Sequence, residues 1–558
     1  MSKFFVPRKE FIVPRCTDAC PAGVDVPRYI RAVKDGRYDD AVAVLRERIP
    51  FPTVCADACF APCEDVCAYN QFGDPIAIRA LKRAAVDKGG DAWKKNQKLA
   101  ERTGKSVAVV GAGPAGLTVA YYMKVLGHNV TVFDGFPKPG GMMRYGIPHY
   151  RTPEERIDAD VNEIINMGVE FKGNTEIGKD IPFQKLKDDF DAVFVASGAN
   201  SSSQIPLKGK EIDGVLWGWD FLKDVSLGKK IQMTRKVAVL GGGNVAMDVA
   251  LTARRLGAEE VHLVCLETRE EMPAHPWEIE LAEEEGVVIH NAWAPKMVLG
   301  NGRARGLALM KCDSVLDDAC NFNPTYDEMI THKISADTII LAIGQAPVLD
   351  FLKDSDIETR ANRIRTDEGL RTSDDKVFAG GDVATGPASV ISAIAQGRRA
   401  AASIDKFLGG SGDISETLAP PEDGVLLPPM DLTARARIEM SHLADWERIR
   451  NFDQVEKGMT DQQILSEAGR CLNCDARKFE VILDTEKCKE CGYCEMVCGV
   501  ATFGAADGFN AKGYRPMEVK RNDWCVGCFK CFFACPDFAI DVIELTAQGG
   551  APRYETLS

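Results

Sequence analysis

Cys488, Cys491, Cys494 and Cys498 stand at the spacing C-x2-C-x2-C-x3-C, and Cys525, Cys528, Cys531 and Cys535, with Pro536 after the last, repeat it. Three thiolates this close can each take one iron of a cubane, while a fourth reaches across to a second cubane. The spacing predicts two 4Fe-4S clusters, one on Cys488, Cys491, Cys494 and Cys535, the other on Cys525, Cys528, Cys531 and Cys498. Zinc, which wants four ligands around one ion, is a poor account of eight cysteines in this pattern. More cysteines gather near the start: Cys16 and Cys20, then Cys55, Cys59, Cys63 and Cys67 at four-residue steps. Pro62 interrupts that array, which makes neither a helix stripe nor a core. Cys471 and Cys474 form one further pair in EAGRCLNC. Of 19 cysteines only Cys265, Cys312 and Cys320 are left over, and those are expected to be ordinary buried or loop thiols.

Glycines carry the second signal. Val107 to Val110 is a β-branched run that feeds into Gly111, Gly113 and Gly116, with Pro114 and Ala115 inside the turn and an apolar-periodic stretch, Leu117 to Leu126, after it. Strand, tight turn and helix in that order present backbone amides and a helix N-terminus to a pyrophosphate. Asp134 ends the next strand, where a carboxylate would accept ribose hydroxyls. A second fingerprint, KVAVLGGGNVAMD, places Gly241, Gly243 and Ala246 in the three key positions, with Asn244 and Val245 between them. Two nucleotides are therefore expected on one chain. Gly380, Gly381 and Asp382 end a third strand before another helix, where the Asp382 carboxylate suits flavin hydroxyls or a plain helix cap.

The elements that must position these residues follow in order. An N-terminal helical domain is expected over 1–105, a first dinucleotide-binding part over 106–230, a second unit over 231–345 and a return to the first over 346–408. Residues 409–432 are rich in Gly and Pro and read as an extended linker. A helical segment follows to 480, with a capping box at Thr460 and Gln463, and a cluster-binding tail spans 481–558. The net charge of -14, from 68 basic and 82 acidic residues, leaves no electrostatic footprint for nucleic acid. No apolar run reaches a membrane span, and the N-terminus lacks a signal-peptide core. A cytoplasmic location is expected, where close-spaced cysteines serve metals rather than disulfides.

The tail is similar to bacterial two-cluster ferredoxins, departing only at Gly499, where a proline often stands. Residues 1 to 412 resemble the small subunit of glutamate synthase and its relatives, including the N-terminal half of dihydropyrimidine dehydrogenase and the larger subunit of NADH-dependent ferredoxin:NADP oxidoreductase. The matching stretches are CPAGVDVP, the Cys55 to Cys67 array, GAGPAG, PGGMMRYGIP, GGGNVAMD, TREEMPA and AGGD. The resemblance implies an α/β chain with two Rossmann-like units of the FAD/NAD(P) disulfide-reductase type, the NAD unit inserted in the FAD unit, between a helical iron-sulfur domain and an α+β ferredoxin-like domain. It adds Gly140, Gly141, Arg144, Gly146 and Gly344 to the expected cofactor contacts. The family's further cysteine pair, expected before Cys16, is missing here, and RCLNC at Arg470 to Cys474 has its sequence. We therefore expect Cys16, Cys67, Cys471 and Cys474 to hold one cluster and Cys20, Cys55, Cys59 and Cys63 another, four 4Fe-4S clusters in all.

These parts imply flavin chemistry with no catalytic side chain, the cofactors being positioned by the protein. The reading is an NADH-linked electron-transfer flavoprotein subunit of a larger hetero-oligomeric complex. It would exchange electrons between NAD, FAD and the clusters, and a ferredoxin or a ferredoxin-type partner such as a 2-oxoacid oxidoreductase. NADP-using relatives commonly carry an arginine pair where this chain has Leu266 and Glu267, so NAD is expected over NADP. The alternatives are a glutamate synthase-like NADPH donor, an electron-bifurcating subunit, and a non-catalytic redox sensor or scaffold. A complete dihydropyrimidine dehydrogenase is excluded, because its barrel cannot fit in the roughly 70 residues between flavoprotein and tail.

Overall fold

The computed structural model describes residues 4–427, 433 and 435–545. The end of the expected linker, 428–432, and of the expected tail domain, 546–558, lies outside the described residues. The N-terminal region packs the helices Val26–Lys34, Tyr38–Arg46, Pro52–Ala58 and Ile78–Lys88 around Tyr29, Leu45, Ile49 and Phe51. Asp25 caps the first of these by accepting from the Arg28 amide, with Pro27 in the first turn. The four-residue cysteine array is broken as Pro62 requires. Helix Pro52–Ala58 ends, Ala61 takes a left-handed conformation (φ 53°), and Pro62 opens a new turn, so Cys59 and Cys63 lie on different elements.

The first nucleotide unit is a five-stranded parallel sheet in the order Val377–Ala379, Ala192–Val195, Ser106–Val110, Asn129–Phe133, Glu170–Lys172. Its edge strand Val377–Ala379 comes from the far side of the inserted unit, so the chain does return. The strand order reverses at Ser106–Val110, and the glycine turn sits at that strand's C-terminal end, where open parallel sheets bind ligands. The inserted unit repeats the plan in the order Val287–His290, Glu260–Val264, Lys236–Leu240, Thr338–Leu341, Val215–Trp217, again parallel. Val215–Trp217 precedes residue 231 yet pairs with Thr338–Leu341, so this unit starts earlier than its glycine motif implied. A three-stranded antiparallel sheet, Trp293–Gly300, Ala304–Leu316 and Phe322–Ser335, is added to it.

The described part of the linker is pinned rather than free. Glu416 accepts from Tyr121 at 3.0 Å, Glu47 accepts from the amides of Leu418 and Ala419, and Gly424–Leu427 pairs antiparallel with Phe4–Pro7. The described part of the later segment is mostly irregular and includes two short helices, Asp445–Arg448 and Asp461–Ala468, the second opened by the expected capping box at Thr460 and Gln463. The tail pairs Lys478–Leu483 with Ile540–Leu545 and Phe503–Ala505 with Met517–Val519. Its short helices Tyr493–Met496 and Lys530–Ala534 each carry the third cysteine of a repeat, Cys494 and Cys531.

Candidate functional site

A cavity of about 610 Å³ opens where both glycine turns face the N-terminal helices. Gly111, Gly113, Pro114 and Ala115 line it from the first turn, Asn244 and Val245 from the second, with Gly141, Gly146, Asp134, Gly381 and Asp382 between. The volume suits a cofactor pocket. Gly113 and Gly141 meet here: Gly141 has φ 53°, and a methyl added to it would lie 2.6 Å from the Gly113 Cα. The two loops form one cradle, and at Gly141 only glycine fits.

Several expected contacts do other work. Asp134 lines the cavity, but its two carboxylate oxygens already accept from the amides of Ala112 (2.6 Å) and Phe136 (2.8 Å), bracing the turn. Burial raises its pKa. Arg144 is buried outside the lining, bonded to the Pro139 carbonyl and to Glu154 at 2.8 Å each, and to Asp158. Gly116 and Gly241 serve packing: a methyl on Gly116 would lie 2.0 Å from the Gly111 carbonyl oxygen, and one on Gly241 2.3 Å from that of Ala342. Gly140, Gly243, Ala246 and Gly344 do not line the cavity. Asn244 accepts from the His275 amide at 2.8 Å, tying TREEMPA to the second turn.

The cavity also holds groups the sequence did not single out. Arg151 pairs with Asp248 at 2.9 Å and Glu278 at 2.7 Å. Burial pushes the Asp248 carboxyl up to about 6, with Arg151 opposing. Burial likewise pushes Asp382 up to about 6, and its one resolved bond accepts from the Ala388 amide. Phe60 stacks on His275 (5.8 Å, 9°) and His275 on Trp277 (4.4 Å, 5°), joining the cluster domain to the inserted unit. Phe60 sits beside a cysteine and His275 beside MPA, but nothing in either stretch announces the other.

The cysteines lie in groups. Cys16, Cys67, Cys471 and Cys474 line one void of about 60 Å³, and Cys525 of the tail faces the same space. Burial pushes the thiols of Cys55 and Cys63 well up, and each feels Cys59 and Cys20 beside it. In the tail, Cys488, Cys491, Cys494 and Cys535 line one small cavity, while Cys498 acts on Cys525, Cys528 and Cys531. Among the described residues no three Cys, His, Asp or Glu side chains converge on a single ion. Ligands of a cubane ring a larger volume, and sets of four thiols fit that group. Arg31, bonded to Asp475 at 2.8 Å and to Glu422 at 2.7 Å, clamps the segment that brings Cys471 and Cys474 back. Of the other thiols, Cys265 and Cys312 are buried and Cys320 is exposed.

At the second turn, Glu267 is half-buried, and a methyl on Gly242 would lie 2.6 Å from its Oε2. Burial raises the Glu267 pKa. Nearby Arg269 is paired with Glu283 at 2.9 Å.

Residues 105–397 match the family model described as pyridine nucleotide-disulphide oxidoreductase, and residues 11–93 match dihydropyrimidine dehydrogenase domain II, 4Fe-4S cluster. The chain belongs to the pyridine nucleotide-disulphide oxidoreductase family. The NADP(+)-dependent formate dehydrogenase subunit beta of Moorella thermoacetica is 37% identical, covering 84% of this chain and 71% of its own. The glutamate synthase [NADPH] small chain of Escherichia coli is 32% identical over 71% of this chain and 89% of its own. The NAD-dependent dihydropyrimidine dehydrogenase subunit PreT of the same species is 32% identical over 71% and 91%. This chain is thus an oxidoreductase of the iron-sulfur flavoprotein kind that works with NAD(P). No helix among the described residues is long and apolar enough to cross a membrane.

Proposed function

We propose that this protein is an NADH-linked electron-transfer subunit of a cytoplasmic complex, moving electrons between NAD(H), FAD and four 4Fe-4S clusters to or from a ferredoxin or ferredoxin-type redox enzyme. One observation carries the reading. Cys59 lines the nucleotide cavity and belongs to the Cys20, Cys55, Cys59 and Cys63 set, while the Cys16 set shares its void with Cys525 of the tail. Cys59 at the cavity and Cys525 beside the Cys16 set support a row of clusters from the cavity to the tail.

The bound groups supply hydride uptake at FAD and one-electron carriage at the clusters. This chain's residues bind and align them. The glycine cradle admits a pyrophosphate, the ionised Asp382 accepts hydroxyls, and the Phe60, His275 and Trp277 stack closes the inserted unit onto the cluster domain. At the far end Cys491 is exposed, and Met496, Phe533 and Phe538 beside the tail's cysteines are 77%, 81% and 80% exposed. Apolar side chains around a reachable cluster suit a protein partner. Relatives named as a beta subunit and a small chain support a place in a larger complex.

The nicotinamide assignment rests on Glu267 against Gly242, which suits a free ribose hydroxyl. The NADP(H)-linked names of two relatives favour NADPH as the second reading. Anaerobic protein should carry about 16 iron, 16 sulfide and one FAD per chain and reduce a viologen dye with NADH. About eight iron would remove both N-terminal clusters and with them the electron row.

A further inference from the structure

The helix Ile78–Lys88 carries four cations, and three have carboxylate partners. Arg79 pairs with Glu456 at 2.5 Å, Arg83 with Asp57 at 2.7 Å and Asp87 at 2.6 Å, and Lys88 with Asp461 at 2.6 Å. Lys82 differs. It is 6% exposed, and its one resolved hydrogen bond, at 3.5 Å, goes to the Cys55 carbonyl. No carboxylate among the described residues forms an ion pair with it. Its helix packs against Pro52–Ala58, the helix that carries Cys55.

A buried cation without a counter-charge is costly and is retained where something compensates it. Four thiolates around an iron-sulfur core carry net negative charge, and net charge is one of the levers on a cluster's potential. We propose that Lys82 is the counter-cation of the cluster held by Cys20, Cys55, Cys59 and Cys63, and that it raises that cluster's reduction potential so that electrons leaving the cavity enter there first. This rests on the ligand set proposed above. Each electron leaving the reduced flavin adds one negative charge beside Lys82, and the ammonium favours the reduced state by attraction. Cys59 lines the cavity whereas Lys82 does not, so the Lys82 charge acts on the cluster rather than on the nucleotide. Lys82 is a tuning residue and touches no substrate.

The test is a redox titration of anaerobically purified full-length protein, followed by low-temperature electron paramagnetic resonance. The relevant signal is the one missing from a Cys55→Ala variant; if that variant loses no signal, the ligand set itself is wrong. With the signal assigned, Lys82→Met and Lys82→Gln should each lower its midpoint by at least 59 mV, the one-electron equivalent of a tenfold change in equilibrium constant. The other signals should stay in place, and Lys82→Arg should keep the native value. A full iron content with an unmoved midpoint in either neutral variant overturns the proposal. So does failure of both neutral variants to hold iron while Lys82→Arg holds it, since the charge would then be needed for assembly rather than for potential.

Discussion

Replacing Glu267 tests the nicotinamide assignment most directly. The carboxylate lies against Gly242 of the second turn, the place where the ribose end of a dinucleotide meets this fold. A 2'-phosphate there would bring like charges to about 4 Å, where each pair of unit charges costs about 1 kcal/mol in water and about 4 kcal/mol near a protein surface. Glu267 is half-buried, so the penalty falls between those limits. We adopt about 1.4 kcal/mol, a tenfold preference for NADH in kcat/KM. Glu267→Gln removes the repulsion and should raise NADPH efficiency by about tenfold while reducing that of NADH slightly. Glu267→Arg adds charge-assisted bonds and should narrow or reverse the preference. Burial raises this carboxyl's pKa, so the repulsion fades as pH falls, sooner than for an ordinary carboxylate, and the native preference should shrink at the acid end. Steady-state dye reduction with both nucleotides over a range of pH reads all of this. Equal native use of NADPH, or an unchanged ratio in Glu267→Gln, refutes the reasoning.

Two further outcomes follow from the same geometry. Cys474→Ala should cost about four iron per chain and one signal near the flavin, leaving both tail clusters; loss confined to a tail cluster would dissolve the Cys16, Cys67, Cys471 and Cys474 set. Asp382 titrates at about 6, and only its ionised form accepts two hydroxyl protons, so flavin-free protein should bind FAD about tenfold more tightly at pH 7 than at pH 5. The same raised pKa makes the flavin-free fold lose stability as pH climbs from the ordinary carboxylate range through about 6. Asp382→Asn should flatten the binding profile, and a profile that stays steep assigns the titration to another group.

What could be read from the chain was whatever spacing encodes. Glycines between a β-branched run and a periodic stretch mark a turn wherever they occur, and cysteines two or three residues apart announce a cluster without reference to their surroundings. The relocated pair at Cys471 and Cys474 was legible because the resemblance left a gap of matching sequence. Contacts between distant segments were not. Val215–Trp217 is three residues long and joins its sheet through partners more than 100 positions away, and a strand that short has no period to detect. Arg144 sits in a motif that resembles a cofactor loop, yet Glu154 and Asp158 claim its guanidinium. Lys82 occupies an ordinary amphipathic helix, where it is set apart only by forming no ion pair among the described residues. The pinned linker misled by composition, since Gly and Pro forbid regular structure but not docking.

The void shared by Cys16, Cys67, Cys471 and Cys474 also has a consequence in time. Two of its thiols leave the ribosome early and the other two only after both nucleotide units have been made. At about 5–20 residues per second, translation from Cys67 to Cys474 takes roughly 20 to 80 s. For that interval the half-ring at Cys16 and Cys67 is open, and iron offered to it meets two ligands instead of four. On the proposed ligand set, insertion at this position must wait for Cys474, and a nascent chain stalled within the flavoprotein carries two bare thiols there. Cluster delivery at this position is, on that set, gated by the emergence of residue 474.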